Sequence, residues 1–391
     1  MKLEGSHGEK GAQQAPCLNQ IYFYLTQGCN LRCRHCWIGP KFQNQEEQYP
    51  ALDLELFISI VEQAKPLGLT GVKLTGGEPL IHPKILDLLD YLRGEEIFVT
   101  VETNGVKCSD AVAGAISACK EPSVSVSLDG VDAETHEWMR GVDGCFHEAV
   151  QGIRNLVAHG VRPQIIMTVV RRNMRQIEKM VRMAESLGAS SVKFNLVQRI
   201  ARGESLHKCG EPLAVAEAVA LGRRVDMEVA TSAAIPVSYD YPMAFRPLSR
   251  VFESGGDGCG RCQILNILGV LSDGSYAMCG IGETLPELVF GHAQEHSLEN
   301  VWNDHALLRE LRDGMPHRLE GICGDCLVKH LCFGSCVAQN FALNKNLWKA
   351  NWFCEEAMGV GVFPLSRLAS VAVSRRGWRT PPLEQSISTP I

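Results

Sequence analysis

The chain has 391 residues, 45% of them hydrophobic and 21% charged, enough apolar material for one large or two moderate globular domains. A formal charge of −6 gives no basis for binding nucleic acid or a membrane surface through bulk electrostatics. The longest apolar runs, such as CQILNILGVL, stop well short of the roughly 20 residues that span a bilayer, and MKLEGSHGEKGAQQAP at the N-terminus has no signal-peptide core, so a cytoplasmic location is expected.

In chain order, residues 1–17 are polar and rich in Gly and Gln, and are expected to be disordered. Six short, β-branched runs then alternate with helical stretches: IYFYLT (21–26), GVKLT (71–75), IFVTVE (97–102), SVSVSL (123–128), QIIMTVV (164–170) and SVKFNLV (191–197). Apart from the first, these are nearly continuously apolar, the pattern of strands buried on both faces. The segments between them, including LDLELFISIVEQAKPLG, CFHEAVQGIRNLVAHG and NMRQIEKMVRMAESLG, carry apolar residues at i, i+3, i+4 and i+7 and several stop at Gly. Repeated β-α units predict parallel strands with right-handed crossovers, and six units predict an α/β fold built as a partial (β/α)6, TIM-like barrel over 18–230. A helix and a Pro-containing linker (231–249) lead to 250–362, where glycines and cysteines crowd together and the alternation ends. That composition predicts a small domain built around metal, with little core of its own. The tail 363–391 is expected to be largely disordered.

Sixteen cysteines in a cytosolic chain argue for metal or redox chemistry over a disulfide framework. Cys17, Cys108, Cys119, Cys145 and Cys209 are scattered and read as small buried hydrophobes. The other eleven fall into two groups.

The first group is Cys29, Cys33 and Cys36, a C-x3-C-x2-C loop immediately after the first strand. Three thiolates can hold three irons of a cubane and leave the fourth open, whereas structural zinc needs a fourth thiolate or imidazole. The second strand ends in Gly76, Gly77, Glu78 and Pro79, where paired glycines permit close approach and the carboxylate could hold an amine or a ribose hydroxyl. An ordinary Gly-rich turn is the plainer alternative. The third strand ends at Thr103 and Asn104, the fourth at Ser127 and Asp129. Singly these are helix caps or turn formers; four successive strands ending this way favour a shared ligand at one rim. Arg140 could bind a carboxylate there, or lie exposed and paired to Glu137.

The cysteine loop, GGEP and SLDG together closely resemble the radical SAM superfamily over roughly residues 18–230. The resemblance implies a [4Fe–4S] cluster on Cys29, Cys33 and Cys36 whose open iron chelates S-adenosylmethionine, and one-electron reduction to a 5′-deoxyadenosyl radical. It also implies that GGEP meets the methionine amine, Ser127 and Arg140 the carboxylate, Asn104 the ribose region, and the backbone around His35 the adenine.

The second group reads Cys262-x11-Gly274-x4-Cys279, then Cys323-x2-Cys326-x5-Cys332-x3-Cys336, then Cys354. It is similar to the SPASM signature, and with Cys259 it makes eight thiolates, enough for two fully ligated cubanes. The resemblance assigns Cys259, Cys262, Cys279 and Cys336 to a first auxiliary [4Fe–4S] cluster and Cys323, Cys326, Cys332 and Cys354 to a second. Taken alone, this region could equally hold structural zinc.

Proteins with both features resemble maturases of ribosomal peptides, protein-residue oxidases such as anaerobic sulfatase maturases, or tetrapyrrole-modifying enzymes. Sulfatase maturases carry an Asp immediately after the third auxiliary cysteine, a position held here by Gly280. A peptide maturase is therefore expected, abstracting hydrogen from a residue of a precursor peptide to give a cross-link, an epimer or a backbone rearrangement. A tetrapyrrole or cofactor maturase, and a non-catalytic zinc-stabilised scaffold, are the alternatives. With only 28 residues before Cys29, leader recognition would need a separate protein or the enzyme's own surfaces. A flavodoxin- or ferredoxin-type electron donor is implied. After the sixth strand, Gln198, Arg199 and Arg202 are candidate substrate contacts, or simply cap the barrel.

Overall fold

The computed structural model describes residues 15–44, 46–252 and 263–369. Each of the six apolar runs forms a strand: β1 (Gln20–Tyr24), β2 (Gly71–Thr75), β3 (Phe98–Thr103), β4 (Lys120–Ser127), β5 (Gln164–Val169) and β6 (Ser191–Leu196). They pair in sequence order and in parallel, from β1 with β2 to β5 with β6. The amphipathic segments form α1 (Leu54–Ala64), α2 (Ile85–Gly94), α3 (Asp110–Ser117), α4 (Ala133–Arg140), α5 (Cys145–Ala158) and α6 (Ile177–Ser186) as the crossovers. In α1, Asp53 caps the first turn by accepting from Leu56 N, and Phe57, Ile60, Val61 and Ala64 face the sheet. Phe57 meets Phe23 of β1 with ring centroids 4.3 Å apart.

The strands are not buried alike on both faces. Val72, Leu74, Val99, Val101, Val124 and Val126 are buried under the helices. The alternate residues put charge on the inner face, where Lys73 and Glu102 pair at 2.8 Å and Lys193 reaches Asp240 at 3.3 Å. The alternation V-K-L-T and S-V-S-V-S is the signature of one apolar and one polar face, so the inside of this barrel is a polar trough.

Four further strands extend the sheet. β7 (Val237–Asp240), inside the expected linker, pairs parallel with β6. β8 (Ile267–Val270), from the cysteine-rich region, pairs parallel with the other edge of β1, with Gln20 opposite Ile267. β9 (Ser275–Ala277) and β10 (Val289–His292) follow antiparallel, giving the order β10-β9-β8-β1-β2-β3-β4-β5-β6-β7. The order is linear and the ends do not pair, so the barrel is partial and open.

The later segment was expected to have little core of its own, and in fact shares one: its buried Trp302, Trp348 and Phe353 belong to the same hydrophobic cluster as Phe23 and Phe57. The Trp302 indole donates to Pro16 O at 2.8 Å, and the tail residue Arg367 donates to Ala244 O and Arg246 O. Residues 15–17 and 363–369, expected to be disordered, are thus held in place. The remainder of both termini, with Cys259 and Cys262, lies outside the described residues. Of the scattered cysteines, Cys108, Cys119 and Cys145 are buried as expected, whereas Cys17 and Cys209 are exposed.

Candidate active site

The strand-one loop is folded tightly against three neighbours. Arg32 N and Arg34 N donate to Arg140 O and Met139 O at the end of α4, each at 2.9 Å, and Gln43 N donates to Cys29 O at 2.8 Å. Glu78 N donates to Gly28 O. Two glycines permit this approach: a Cβ on Gly77 would lie 1.9 Å from Gly28 O, and Gly76 has φ +128° with β1 backbone at 2.9 Å. Gly141, in the left-handed region at φ +73°, likewise leaves room for Arg32 O.

Within this frame Cys29 and Cys33 are buried beside Leu31 and Cys145, and Cys36 packs against the same group. Each sulfur receives an N–H: Leu31 N to Cys29 Sγ at 3.4 Å, Arg140 Nη1 to Cys33 Sγ at 3.6 Å, and Gly39 N to Cys36 Sγ at 3.4 Å. Burial pushes the Cys29 thiol well up and Cys33 to about 11, so the pocket by itself favours thiols. A bound iron centre supplies the positive charge that favours thiolates, and the three N–H donors suit thiolate sulfur.

All three cysteines line one cavity of about 150 Å³. Gly76, Gly77, Glu78, Thr103 and Asn104 form its second wall, with Ser127, Arg140 and His35 on the far side. His35 Nδ1 and Arg202 Nη1 are buried here with no hydrogen-bond partner among the described residues. A polar cosubstrate would satisfy such groups. The donor set therefore fits a cluster with a polar ligand beside it.

Three expected contacts are arranged differently. Glu78, 1% exposed, accepts from Leu80 N, Thr103 Oγ1 and Asn104 N at 3.0, 2.6 and 2.8 Å. Burial raises its pKa despite these bonds. The carboxylate braces the rim of β3, and Pro79 opens the short turn that Glu78 caps. Asp129 does not line the cavity. It is fully buried, accepting from Thr168 N at 2.8 Å and facing Arg140 Nε at 2.7 Å and His35 Nε2 at 3.7 Å. Arg140 is accordingly buried and paired with Asp129, not exposed and paired with Glu137. Burial lowers His35 to about 4, leaving a neutral ring.

The sequence reading missed Thr26, Asn30, Glu102 and His136. Thr26 Oγ1 donates to Gly28 O and Glu78 O and accepts from Glu78 N, tying β1 to GGEP. Asn30 Oδ1 accepts from Asn104 Nδ2 at 2.8 Å, and His136 Nδ1 accepts from Asp129 N at 3.1 Å. Glu102 lines the cavity directly. It ends the IFVTVE run on the polar side of the alternation, which was the available signal.

The three candidates after β6 separate. Arg202 lines the cavity, its guanidinium donating to Pro40 O and its N–H to Cys36 O. Arg199 stacks 3.9 Å over Trp352 and pairs with Glu356 at 2.8 Å, both in α8 (Trp352–Gly359), which follows α7 (Val337–Asn344). With its amide turned to match donors to acceptors, Gln339 of α7 donates to Gln198 Oε1 and accepts from Arg199 N and Trp352 Nε1. Gln198 and Arg199 thus form a seam with the C-terminal region. Beyond it, Arg199, Ile200, Glu204, His207, Ile281 and Leu343 border an outer cleft of about 650 Å³. A smaller cavity of about 120 Å³ adjoins both, with Ile38, Pro40 and Gly76 also lining the inner one and Thr284 also lining the cleft.

In the C-terminal region, Cys323, Cys326, Cys332 and Cys354 are buried around a single small cavity, and Asn351 N donates to Cys323 Sγ at 3.3 Å. Burial raises all four, Cys323 to about 12. Four thiols around one cavity match the ligand count of one fully ligated cluster. Cys279 and Cys336 are half-buried elsewhere in this region. After Cys279 the backbone presses on β1: a Cβ on Gly280 would lie 2.1 Å from the Tyr24 ring. No aspartate fits at that position without moving Tyr24.

An open parallel barrel with three cysteines lining a polar cavity, followed by a second four-cysteine site, is the arrangement of a radical SAM protein with an auxiliary iron–sulfur domain. The chain belongs to this family: residues 23–184 match the Radical SAM superfamily and residues 259–327 the SPASM iron-sulfur cluster-binding domain. It is similar to the mycofactocin maturase MftC of Mycobacterium tuberculosis, 27% identical over 85% of this chain and 81% of that protein. The AdoMet-dependent heme synthase of Methanosarcina barkeri is 26% identical over 85% and 95%. Among solved structures, Streptococcus suis SuiB bound to S-adenosylmethionine superposes with a TM-score of 0.67 at 17% identity, over 87% of this chain and 78% of that one. That likeness is one of fold.

Proposed function

We propose that this chain is a radical SAM/SPASM enzyme that abstracts hydrogen from a residue of a ribosomally synthesised peptide, leading to a cross-link, an epimer or a backbone rearrangement. The observation that carries this reading is the adjacency of the cysteine-lined cavity, through a smaller cavity that has lining residues in common with each, to an outer cleft with room for an extended chain. The relatives named as a maturase of mycofactocin and as PqqA peptide cyclase support it. S-adenosylmethionine, reductively cleaved at a cluster, supplies the 5′-deoxyadenosyl radical.

In this reading Cys29, Cys33 and Cys36 hold the cluster. The backbone at Gly76 and Gly77 meets the methionine amine, Ser127 and Arg140 the carboxylate, Asn104 the ribose and the backbone at His35 the adenine. Thr103, Glu78 and Asp129 keep these groups in place. Cys323, Cys326, Cys332 and Cys354 hold one auxiliary cluster, and Cys259, Cys262, Cys279 and Cys336 another. A flavodoxin- or ferredoxin-type donor and a separate leader-recognition protein would complete the system.

The sequence kinship with a heme synthase favours a second reading, a tetrapyrrole substrate. Anaerobic reconstitution of the full chain tests both. The expected product carries about 12 irons, four for each of three cubanes, and converts S-adenosylmethionine to 5′-deoxyadenosine. Mass spectrometry of a short peptide encoded beside the gene should show a change in mass or fragmentation; turnover of an iron tetrapyrrole with the peptide unchanged would replace the first reading by the second. Zinc in place of iron, with no deoxyadenosine formed, would leave only a scaffold.

A further inference from the structure

Arg140 is held between an acid and a sulfur. Its side chain is 7% exposed; Nε faces Asp129 Oδ2 at 2.7 Å while Nη1 donates to Cys33 Sγ at 3.6 Å. Asp129 is itself held at three atoms, accepting from Thr168 N through Oδ1 and from Asn173 Nδ2 through its carbonyl, and donating its N–H to His136 Nδ1, while Oδ2 meets Arg140 as an ion pair. The backbone of Arg140 is also committed, since its carbonyl accepts from Arg32 N in the cysteine loop. The guanidinium is therefore held between Asp129 and Cys33, and Arg140 also lines the cosubstrate cavity.

We infer that Arg140 couples occupancy of the cosubstrate cavity to the electron affinity of the centre held by Cys29, Cys33 and Cys36, through its N–H···S bond to Cys33. The inference rests on those three cysteines being the cluster ligands. A charged donor aimed at a ligating sulfur favours the more negative, reduced form of the centre and so raises its potential. In a dry site the effect is larger than in water. A carboxylate entering the cavity and meeting the guanidinium takes a share of its charge and weakens the bond to sulfur. Occupancy then makes the centre a stronger reductant. Asp129 acts as a positioning residue, because its pairing with Nε aims Nη1 at the sulfur.

The test uses the reconstituted full-length protein titrated with dithionite under redox mediators, followed by EPR with and without S-adenosylmethionine. In Arg140→Lys the single ammonium remains paired with Asp129 and loses its reach to Cys33. Its potential is expected to lie below that of the wild type and to shift less on adding S-adenosylmethionine. Wild-type potential and a wild-type shift in this variant would overturn the inference. Should the variant fail to fold, wild-type protein labelled with 15N-arginine answers the same question. Pulsed EPR of its reduced centre should show a 15N coupling that S-adenosylmethionine diminishes, and absence of that coupling overturns the inference. The underlying ligand assignment fails separately, if C29A/C33A/C36A keeps full iron content and the signal that responds to S-adenosylmethionine.

Discussion

A methyl group at Gly77 has nowhere to go: its Cβ would lie 1.9 Å from Gly28 O. Gly77→Ala must push the cysteine loop outward, at a cost of about 1–3 kcal/mol for overpacking. Iron bound per chain should fall, by the amount of one cluster, while the other sites keep theirs; an alanine variant with full iron and normal deoxyadenosine yield would show that the loop tolerates the shift. Replacing Cys29, Cys33 and Cys36 together by Ala should abolish deoxyadenosine formation, measured by chromatography, and leave the auxiliary iron. Glu102 permits a prediction in pH. Burial pushes its carboxyl up, but Lys73 at 2.8 Å outweighs this and holds it below the ordinary range. A depressed acid contributes stability above its unfolded pKa of about 4.3, which is lost as pH falls through the folded value. Glu102→Gln should therefore flatten the acid limb of the melting temperature below about pH 4.5, and parallel curves for variant and wild type would dismiss the pair as a stabiliser. At this scale the sequence displayed the cavity walls well. The roles of Asp129 and Glu78 were hidden because their partners, Arg140, Thr168 and Thr103, come from other strands and helices, so a rim residue and a brace beneath the rim look the same in one dimension.

The six barrel strands were legible because each is a short apolar run whose burial against helices is local in origin. What the runs concealed was their second face, since Lys73, Glu102 and Lys193 interrupt them only once or twice and yet make the trough polar. β8 was illegible for a different reason: its partner β1 lies at the far end of the chain, and nothing in QILNILGVL announces which edge it will join. Gln198 and Arg199 were read as substrate contacts from their place after β6. The helix that covers them brings Glu356 from 157 residues away. Arg199→Ala should loosen this seam by about 1–2 kcal/mol, the cation–π contact and an ion pair that is part-exposed together. Hydrogen exchange should rise across α8 and remain unchanged in β2 to β5; equal protection in both proteins would mean that Arg199 is free to serve a ligand.

For the whole molecule, one hydrophobic core runs from the barrel into the C-terminal region, and what sets that region apart is four buried thiols around one small cavity. Metal binding there contributes folding free energy. Chelating the iron should thus lower protection over 321–359 far more than in β2 to β5, as read by hydrogen exchange, and a uniform loss would argue that the two parts melt as one unit. Among the described residues no helix is long and apolar enough to cross a membrane. The pairing of β8 with β1 has its consequence in inheritance. A cassette that can be exchanged between proteins needs a boundary where few bonds cross, and here β8, whose antiparallel partner β9 leads to Cys279, is hydrogen-bonded to the strand leading to Cys29. Ending the chain at 249 would strip β1 of a neighbour and leave a bare apolar edge, which other chains would pair with. The two cysteine-bearing loops are therefore joined through shared sheet backbone, and any replacement of the auxiliary region has to bring a strand of its own for the β1 edge.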